Sequence, residues 1–306
     1  MRTPAPLPPA LATGAFSVAE AARLGVSSDR LAASDLQRPF RGVRAREPLP
    51  AALAYAPLLR PGDRFSHTTS LYLLDAPLPT ARERDVHVTL RTSQRAPALG
   101  PPRTRGVFGH TSSVGGILMH GGLPLSDPVT AFLESASILS VDDLVAVGDS
   151  LVLDPRVLDP ALLRPLTTVD ALRSAAAASH GRGVVRARAA AALVREGVES
   201  PKETVLRLLL VRAGIPEPVC GYELRSAGRR IGWFDLAWPQ FRVIAEYDGD
   251  DHRTKKAQYE KDIRRYDAAA DLDWRVVRVR IPGLGPLARD TVARVERALV
   301  RLGWSR

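Results

Sequence analysis

Five carboxylates stand close together in the stretch FDLAWPQFRVIAEYDGDDHR, which covers residues 234–253. The rest of the stretch predicts two buried strands, and a carboxylate is costly to bury without a cation or a hydrogen-bond donor beside it. Asp235 lies inside the first predicted strand, and Glu246 lies near the end of the second. Apposed carboxylates of this kind suit Mg²⁺ or Mn²⁺. The chemistry expected of them is metal-assisted hydrolysis of a phosphodiester.

The other ionisable residues of the stretch have more than one interpretation. Asp248 follows Glu246 by two residues, so the two side chains share a face if the strand continues. Asp250 and Asp251 are typical of a solvated turn. His252 suits either a general base that positions water or an exposed residue at a helix N-terminus.

The surrounding pattern predicts the elements that position these acids. SPKETVLRLLLVRAG, residues 200–214, predicts a helix with Ser200 as N-cap and Glu203 at its third position. Three strands, a charged helix over 253–271, a strand over 273–281 and a helix over 287–302 follow. The order is αβββαβα. A tight turn at residues 239–240 can bring Asp235 and Glu246 side by side.

Two of these acids also have explanations that need no functional site. The capping box alone accounts for Glu203, although a capping role and a role in a site are compatible. Asp235 in an apolar strand is explained otherwise by a buried salt bridge, for which Arg229 and Arg230 are the nearest candidates in sequence. A metal site is the interpretation we favour for Asp235.

The segments FDLAWP and IAEYDG, with the spacing D-X10-E-X-D-X3-H, resemble the PD-(D/E)XK nuclease superfamily. The similarity is greatest to its branch related to very-short-patch-repair endonucleases, and it covers about residues 200–303. It implies a restriction-endonuclease-like fold in which Asp235 is the first metal ligand, Glu246 the second acid and Glu203 the upstream helix glutamate. Asp248 stands where the superfamily has a lysine, and His252 belongs to the branch's site. The expected catalytic residues are therefore Glu203, Asp235, Glu246, Asp248 and His252.

Basic residues beyond the acidic stretch are expected to contact DNA. Lys255 or Lys256, one helical turn past His252, could replace the missing lysine near the phosphate. The resemblance also matches an acid and an arginine to Asp262 and Arg265, although spacing of three residues equally predicts a helical ion pair. The predicted DNA-contacting residues of this part are Lys255, Lys256, Lys261, Arg264 and Arg265.

Composition limits the class of protein. The net charge of +10 over 306 residues suits a polyanionic partner such as nucleic acid, although arginine-rich composition alone can produce it. The single cysteine, Cys220, excludes an internal disulfide and a cysteine-rich zinc site. No apolar run reaches membrane-spanning length and no signal peptide is recognised. We therefore expect a cytoplasmic protein without a membrane partner.

The N-terminal region predicts two short helices, over 17–25 and 27–36, followed by the alternating segment PFRGVRARE over 39–47. Helix, turn, helix and a basic hairpin is the order of a winged helix-turn-helix. Arg41, Arg44 and Arg46 are then candidates for DNA contact. A small helical cap with an arginine-rich loop fits the pattern equally well.

The middle region, 61–180, predicts an α+β domain, and residues 181–198 predict a helical linker. His67, His110 and His120 are scattered without metal-ligand spacing, and His87 lies on a strand, DVHVTLR. Structural or surface histidines are the interpretation that this spacing favours.

The segments SVAEAARLGVSSDRL, RPFRGVRARE, SHTTSLYLL and DVHVTLR together resemble the winged helix and following domain of AbiEi-type antitoxins of type IV toxin–antitoxin systems. This implies DNA binding by the helix at 27–36 and its wing, and a cognate toxin as a partner. The predicted division is a winged helix (1–60), a mixed α+β domain (61–180), a linker (181–198) and a nuclease domain (199–306). The predicted function is cleavage of double-stranded DNA with Mg²⁺ or Mn²⁺. The alternatives are a non-catalytic DNA-binding regulator or antitoxin with a degenerate nuclease domain and a repair nuclease.

Overall fold

The computed structural model describes residues 4–92, 100–157, 159–160, 162–249 and 256–305, and for residues 256–262 it describes the helix without the side chains. The chain divides into two compact units, Met1–Ser137 and Ile138–Arg306. Helices and three sheets make it a mixed α/β protein, which confirms the predicted class. The finer division into four regions stays a prediction. Within the described residues, no helix is both long and apolar enough to cross a bilayer.

The N-terminal unit contains five short helices and seven strands among its described residues. The helices are α1 (Val18–Arg23), α2 (Ser28–Ala32), α3 (Ala51–Tyr55), α4 (His67–Leu73) and α5 (Pro128–Ser135). The strands are β1 (Ala15–Ser17), β2 (Val43–Ala45), β3 (Asp63–Phe65), β4 (Val86–Arg91), β5 (Val107–Ser112), β6 (Ile117–His120) and β7 (Leu123–Ser126). β1 and β2 form a two-stranded antiparallel sheet. The other five form a mixed sheet in the order β5-β4-β3-β7-β6, with β4 parallel to β5 and β3 parallel to β7.

The first two helices follow the predicted pattern, but the basic segment after them differs from it. Ser17 Oγ accepts the Glu20 N–H at 3.0 Å, as a capping box requires. The second helix ends at Ala32 and not near Leu36. The predicted basic hairpin over 39–47 contains only the strand β2, which pairs with β1 and, through Ala45, with Gln37. Residues 39–42 form the turn that leads into β2, and residues 46–47 form a bend after it.

The C-terminal unit contains six helices and four strands among its described residues. The helices are α6 (Val141–Val152), α7 (Val169–Ala178), α8 (Val184–Leu193), α9 (Pro201–Arg212), α10 (Lys256–Ala270) and α11 (Ala288–Arg301). The strands are β8 (Val219–Ser226), β9 (Arg229–Trp238), β10 (Val243–Tyr247) and β11 (Arg275–Val279). From α9 onward the order of helices and strands is the predicted αβββαβα.

The sheet of this unit has the order β11-β10-β9-β8. β8 and β10 are antiparallel to β9, and β11 is parallel to β10, with α10 as the crossover between them. α9 and α11 pack against one face through a core that includes Leu206, Trp238 and Leu299. On the other face, Ala269 of α10 packs with Ile244. β10 is therefore an internal strand with a helix layer on each side.

A buried ion pair joins α6 to α9 within this unit. Arg207, which is 0% exposed, donates to Asp149 Oδ2 at 3.1 Å and to the Leu193 carbonyl at 2.8 Å. Thr204 Oγ1 donates to the same carboxylate at 2.8 Å, and the Arg195 N–H donates to it at 2.7 Å. The helices before α9 are thus tied to it by a set of buried polar contacts, in which Arg207 Nε alone lacks a hydrogen-bond partner among the polar atoms of these described side chains.

Candidate active site of the C-terminal unit

The hairpin of β9 and β10 places the two predicted metal ligands beside each other. In the register of the two strands, Ala245 is opposite Leu236. The paired segment ends there, and Glu246 and Asp235 are the next residue on each strand. The Tyr247 N–H donates to Asp235 Oδ2 at 2.7 Å, which fixes this carboxylate at the end of the paired segment.

Asp235 experiences the negative charges of two other acids. Burial raises its pKa well above the ordinary range, and the charges of Glu203 and Glu246 raise it further. The hydrogen bond from Tyr247 and the charge of Arg265 oppose the rise without cancelling it. Glu203 and Glu246, two of the predicted site residues, therefore lie within electrostatic reach of Asp235, a third.

Glu203 has the capping role that its position predicts. Its N–H donates to Ser200 Oγ at 3.3 Å, and its Oε2 accepts the Glu199 N–H at 2.9 Å. Burial raises the pKa of Glu203, and the charge of Glu199 contributes in the same direction. The cap thus holds a partly buried carboxylate at the start of α9, within electrostatic reach of Asp235.

Glu246 is 5% exposed and is held by an arginine. Arg265 of α10 donates to Glu246 Oε1 and to the Trp233 carbonyl, and its guanidinium lies over the Phe234 ring at 4.8 Å. The side chain passes directly over Gly232, where a Cβ atom would collide with Arg265 Cγ and Cδ. Glycine at this position therefore leaves the space through which Arg265 reaches the acid.

Asp248 has a different environment from the three clustered acids. Its N–H donates to the Val279 carbonyl at 2.7 Å, and its Oδ2 accepts from Arg278 at 2.6 Å and from Arg280 at 3.4 Å. The position at which the superfamily has a lysine thus holds an acid that two arginines balance. Arg230, one of the alternative partners considered for Asp235, instead approaches Glu223 at 3.8 Å.

The predicted residues of the following helix are described only in part. His252 and Lys255 lie outside the described residues. Lys256 and Lys261 belong to α10, but their side chains lie outside what the structure describes. Arg264 is exposed on the same helix.

Arginines of the N-terminal unit surround a broad cleft of about 860 Å³. Its basic lining residues are Arg38, Arg41, Arg44, Arg60, Arg103 and Arg105. Arg44 is partly committed, because it donates to the Leu31 carbonyl at 2.7 Å and to the Val43 carbonyl at 2.9 Å. Burial lowers its pKa, and the charge of Arg38 lowers it further. Arg41 is exposed in the cleft, and Arg46 is exposed next to β2.

A cluster of histidines in the N-terminal unit is a feature that spacing did not indicate. His67, His87 and His110 each present a ring nitrogen, and these nitrogens lie within 4.8 Å of one another. They come from α4, β4 and β5, so no short motif contains them. Among the described residues, these three histidines form the group of candidate metal ligands whose ligand atoms all lie within 4.8 Å of one another. The acids around Asp235 are not spaced as closely as this.

The comparisons with known proteins do not identify a function. No family model matches the chain, and no solved structure matches it. It is similar to two uncharacterized proteins of Mycobacterium tuberculosis, one from strain CDC 1551 / Oshkosh and one from strain ATCC 25618 / H37Rv. Each is 28% identical over 145 residues, which are 47% of this chain and 54% of the relative. The chain thus spans about half the length of these curated relatives.

Proposed function

We propose that residues 199–306 form a metal-dependent nuclease domain of the restriction-endonuclease-like type, which hydrolyses phosphodiester bonds of double-stranded DNA. The observation that carries the proposal is the raised pKa of Asp235, which burial and the charges of Glu203 and Glu246 together produce at the end of the paired segment of β9 and β10. Like charges beside one another disfavour the ionised form, so this arrangement lowers the stability of the folded chain in the absence of a compensating cation. Strongly perturbed acids of this kind are characteristic of functional sites.

The donor set fits Mg²⁺ or Mn²⁺, because all three candidate ligands offer carboxylate oxygens. Asp235 and Glu246 would hold the ion, and Glu203 would add negative charge beside it. When bound, the ion would stabilise charge on the phosphate oxygens and lower the pKa of a water ligand.

Protein groups around the acids keep them in place for this chemistry. The Tyr247 N–H orients Asp235, and Arg265 holds Glu246 against the sheet. Asp235 is partly exposed, whereas Glu246 is buried, so a phosphate from solvent would meet Asp235 first. His252 remains our candidate for the group that accepts a proton from the attacking water.

The basic cleft of the N-terminal unit supports DNA as the substrate. Arginines that line a broad groove make contacts to phosphates that do not depend on base sequence. We propose that Arg41, Arg44 and Arg46, in a winged-helix module of the AbiEi type, dock the duplex, and that Arg264 and the lysines of α10 contact it near the cleaved bond. The surplus of positive charge on the chain is in keeping with this partner.

A plasmid-nicking assay tests the proposal. Wild-type protein with Mg²⁺ or Mn²⁺ should convert supercoiled DNA to the nicked form, and a chelator should stop it. Asp235→Asn and Glu246→Gln should each lose this activity, whereas Asp271→Asn, which changes an exposed acid on the same unit, should retain it. Failure of wild type to cleave with either metal, or equal cleavage by Asp235→Asn, would exclude this function.

The structure also favours a second candidate, a DNA-binding regulator or antitoxin with a degenerate nuclease domain and a toxin as partner. Arg278 and Arg280 balance the acid that replaces the expected lysine, and Arg265 already provides Glu246 with a cation. Calorimetric titration with Mg²⁺ separates the two functions. A nuclease should bind the ion and lose it in Asp235→Asn, whereas a regulator should bind DNA equally well in both forms and bind no Mg²⁺.

A further inference from the structure

Three histidines meet at one end of the five-stranded sheet in the N-terminal unit. His67 begins α4 directly after β3, His87 lies on β4 and His110 lies on β5. Their rings stack, with centroids 4.0 Å apart for His67 and His110 and 5.3 Å apart for His87 and His110. His87 is buried and His110 is partly exposed, so the cluster lies between the interior and solvent.

The spacing of the ring nitrogens is close to that of a metal site. His87 Nδ1 lies 3.0 Å from His110 Nε2. Two imidazole nitrogens bound to one tetrahedral Zn²⁺ at about 2.0–2.1 Å are separated by about 3.3 Å. Since all three candidate nitrogens lie within 4.8 Å of one another, tilting of the rings by rotation of their side-chain torsions would bring them to this separation.

The second nitrogen of each of two rings already faces an orienting group. His67 Nδ1 lies 3.0 Å from Ser66 Oγ and 3.8 Å from Glu134 Oε2, which leaves Nε2 as its ligand atom. His87 Nε2 lies 3.8 Å from Asp85 Oδ2, beyond hydrogen-bond distance but near enough for electrostatic attraction, and Nδ1 faces His110. Histidine ligands of metals commonly direct their other nitrogen to a carboxylate or carbonyl that fixes ring orientation.

The backbone and the local charge also point to a site. His67 has a φ of +52°, a conformation that is uncommon for residues other than glycine and that clusters at functional positions. The nearby cations are compensated, because Arg64 pairs with Glu134 at 3.2 Å and Arg82 with Asp85 at 3.3 Å. Each arginine near the cluster thus has an acidic partner.

Burial is the main influence on all three rings. The pKa of His67 is lowered to about 2 by burial, by the neighbouring histidines and by Arg64. Burial and His110 lower the pKa of His87 to about 4, and burial also lowers the pKa of His110.

We propose that His67 Nε2, His87 Nδ1 and His110 Nε2 form a site for a divalent transition metal of the Zn²⁺ type, with a fourth position open to solvent beside His110. Imidazole nitrogen selects Zn²⁺, Co²⁺ or Ni²⁺ over Mg²⁺, so this site is chemically distinct from the carboxylate cluster of the other unit. It does not depend on nuclease activity.

Titration of the full-length protein with Co²⁺ after removal of metals by chelator tests the site. Wild type should bind Co²⁺ with the visible absorption of a tetrahedral ion, Zn²⁺ should displace it, and millimolar Mg²⁺ should not. His110→Asn should weaken binding by more than the ~100-fold that loss of an orienting partner costs. His120→Asn, which changes a histidine of the same unit outside the cluster, should bind as wild type does.

Two further variants keep the test decisive. If circular dichroism shows that His110→Asn does not fold, Asp85→Asn serves instead, because it keeps all three ligands and should weaken binding about 10- to 100-fold. Asp235→Asn should retain the visible band, which assigns it to the histidines. Absence of binding by wild type, equal binding by the folded His110→Asn or Asp85→Asn variant, or loss of the band in Asp235→Asn would overturn the proposal.

Discussion

Two acids of the C-terminal unit, the buried Asp149 and the partly buried Asp235, have opposite surroundings. Burial raises the pKa of both. For Asp149 every further contribution lowers the pKa, because it faces Arg207, the Thr204 hydroxyl and a backbone N–H. For Asp235 the next contributions, from two other acids, raise it.

The difference separates an acid that stabilises the fold from one that suits a function. A buried charge with a full set of donors ties elements together, as Asp149 does for α6 and α9. A charge beside like charges in a desolvated position costs stability, and such perturbed acids are enriched at functional sites. Replacement of either acid should therefore change the free energy of unfolding, which is measured without a substrate.

The largest expected effect is at the satisfied acid. Asp149→Ala leaves Arg207 buried without its main partner, and we expect the free energy of unfolding to fall by about 3 kcal/mol in urea denaturation. Asp142→Ala is the matched control on the same helix, since its partner Arg212 is exposed, and should cost less than about 1 kcal/mol. Equal costs for the two variants would show that burial of the Asp149 pair does not matter.

A smaller loss is expected where Arg265 crosses the sheet. Gly232→Ala places a methyl group against this side chain, and overpacking of this kind costs about 1–3 kcal/mol. The cost should disappear when Arg265 is also replaced by alanine, so a double-mutant cycle measured by thermal unfolding should show coupling of the two positions. If the two substitutions changed the stability additively, the methyl group at position 232 would not be in contact with Arg265.

The smallest effect has the opposite sign. Asp235→Asn removes one of the repelling charges and should raise the stability at neutral pH by about 1 kcal/mol without metal. Because the folded pKa of Asp235 is raised, the wild type binds more protons folded than unfolded, and it loses stability as pH rises above the unfolded value of about 3.9. The gain should therefore vanish below that pH.

Addition of Mg²⁺ sharpens this prediction. The ion should raise the melting temperature of the wild type at neutral pH and leave that of Asp235→Asn unchanged, because ligands that bind only the folded state stabilise it. Stabilisation of both forms to the same extent would place Mg²⁺ elsewhere on the chain.

Local patterns were sufficient to predict the elements that carry the acids. The capping box of α9 and the alternation in β9 and β10 are properties of neighbouring residues, and the short turn between the strands sets which residues face each other. The positions of Asp235 and Glu246 followed from these. The basic hairpin was not recovered in full, because pairing of β2 with β1 and Gln37 depends on a distant segment.

Contacts between elements that are distant in sequence could not be predicted from the local sequence pattern. Asp248 is bonded to Arg278 of β11 and to Arg280 just after it, about 30 residues further along the chain. These contacts depend on the parallel register of β10 and β11. The histidine cluster needs β4 and β5 to pair in parallel and β3 to lie next to β4. Spacing along the chain carries no signal for such groups, because their members lie on separate elements.

The central position of β10 has a consequence for how the protein is made. β10 receives its antiparallel neighbour from the hairpin at once, but its parallel neighbour only after α10 and β11 have been synthesised. A chain that stops before Arg275 leaves β10 as an open sheet edge, the kind of edge that pairs with other chains. We therefore expect chains truncated before Arg275 to aggregate. The open edge of β10 is covered only after β11 has been synthesised.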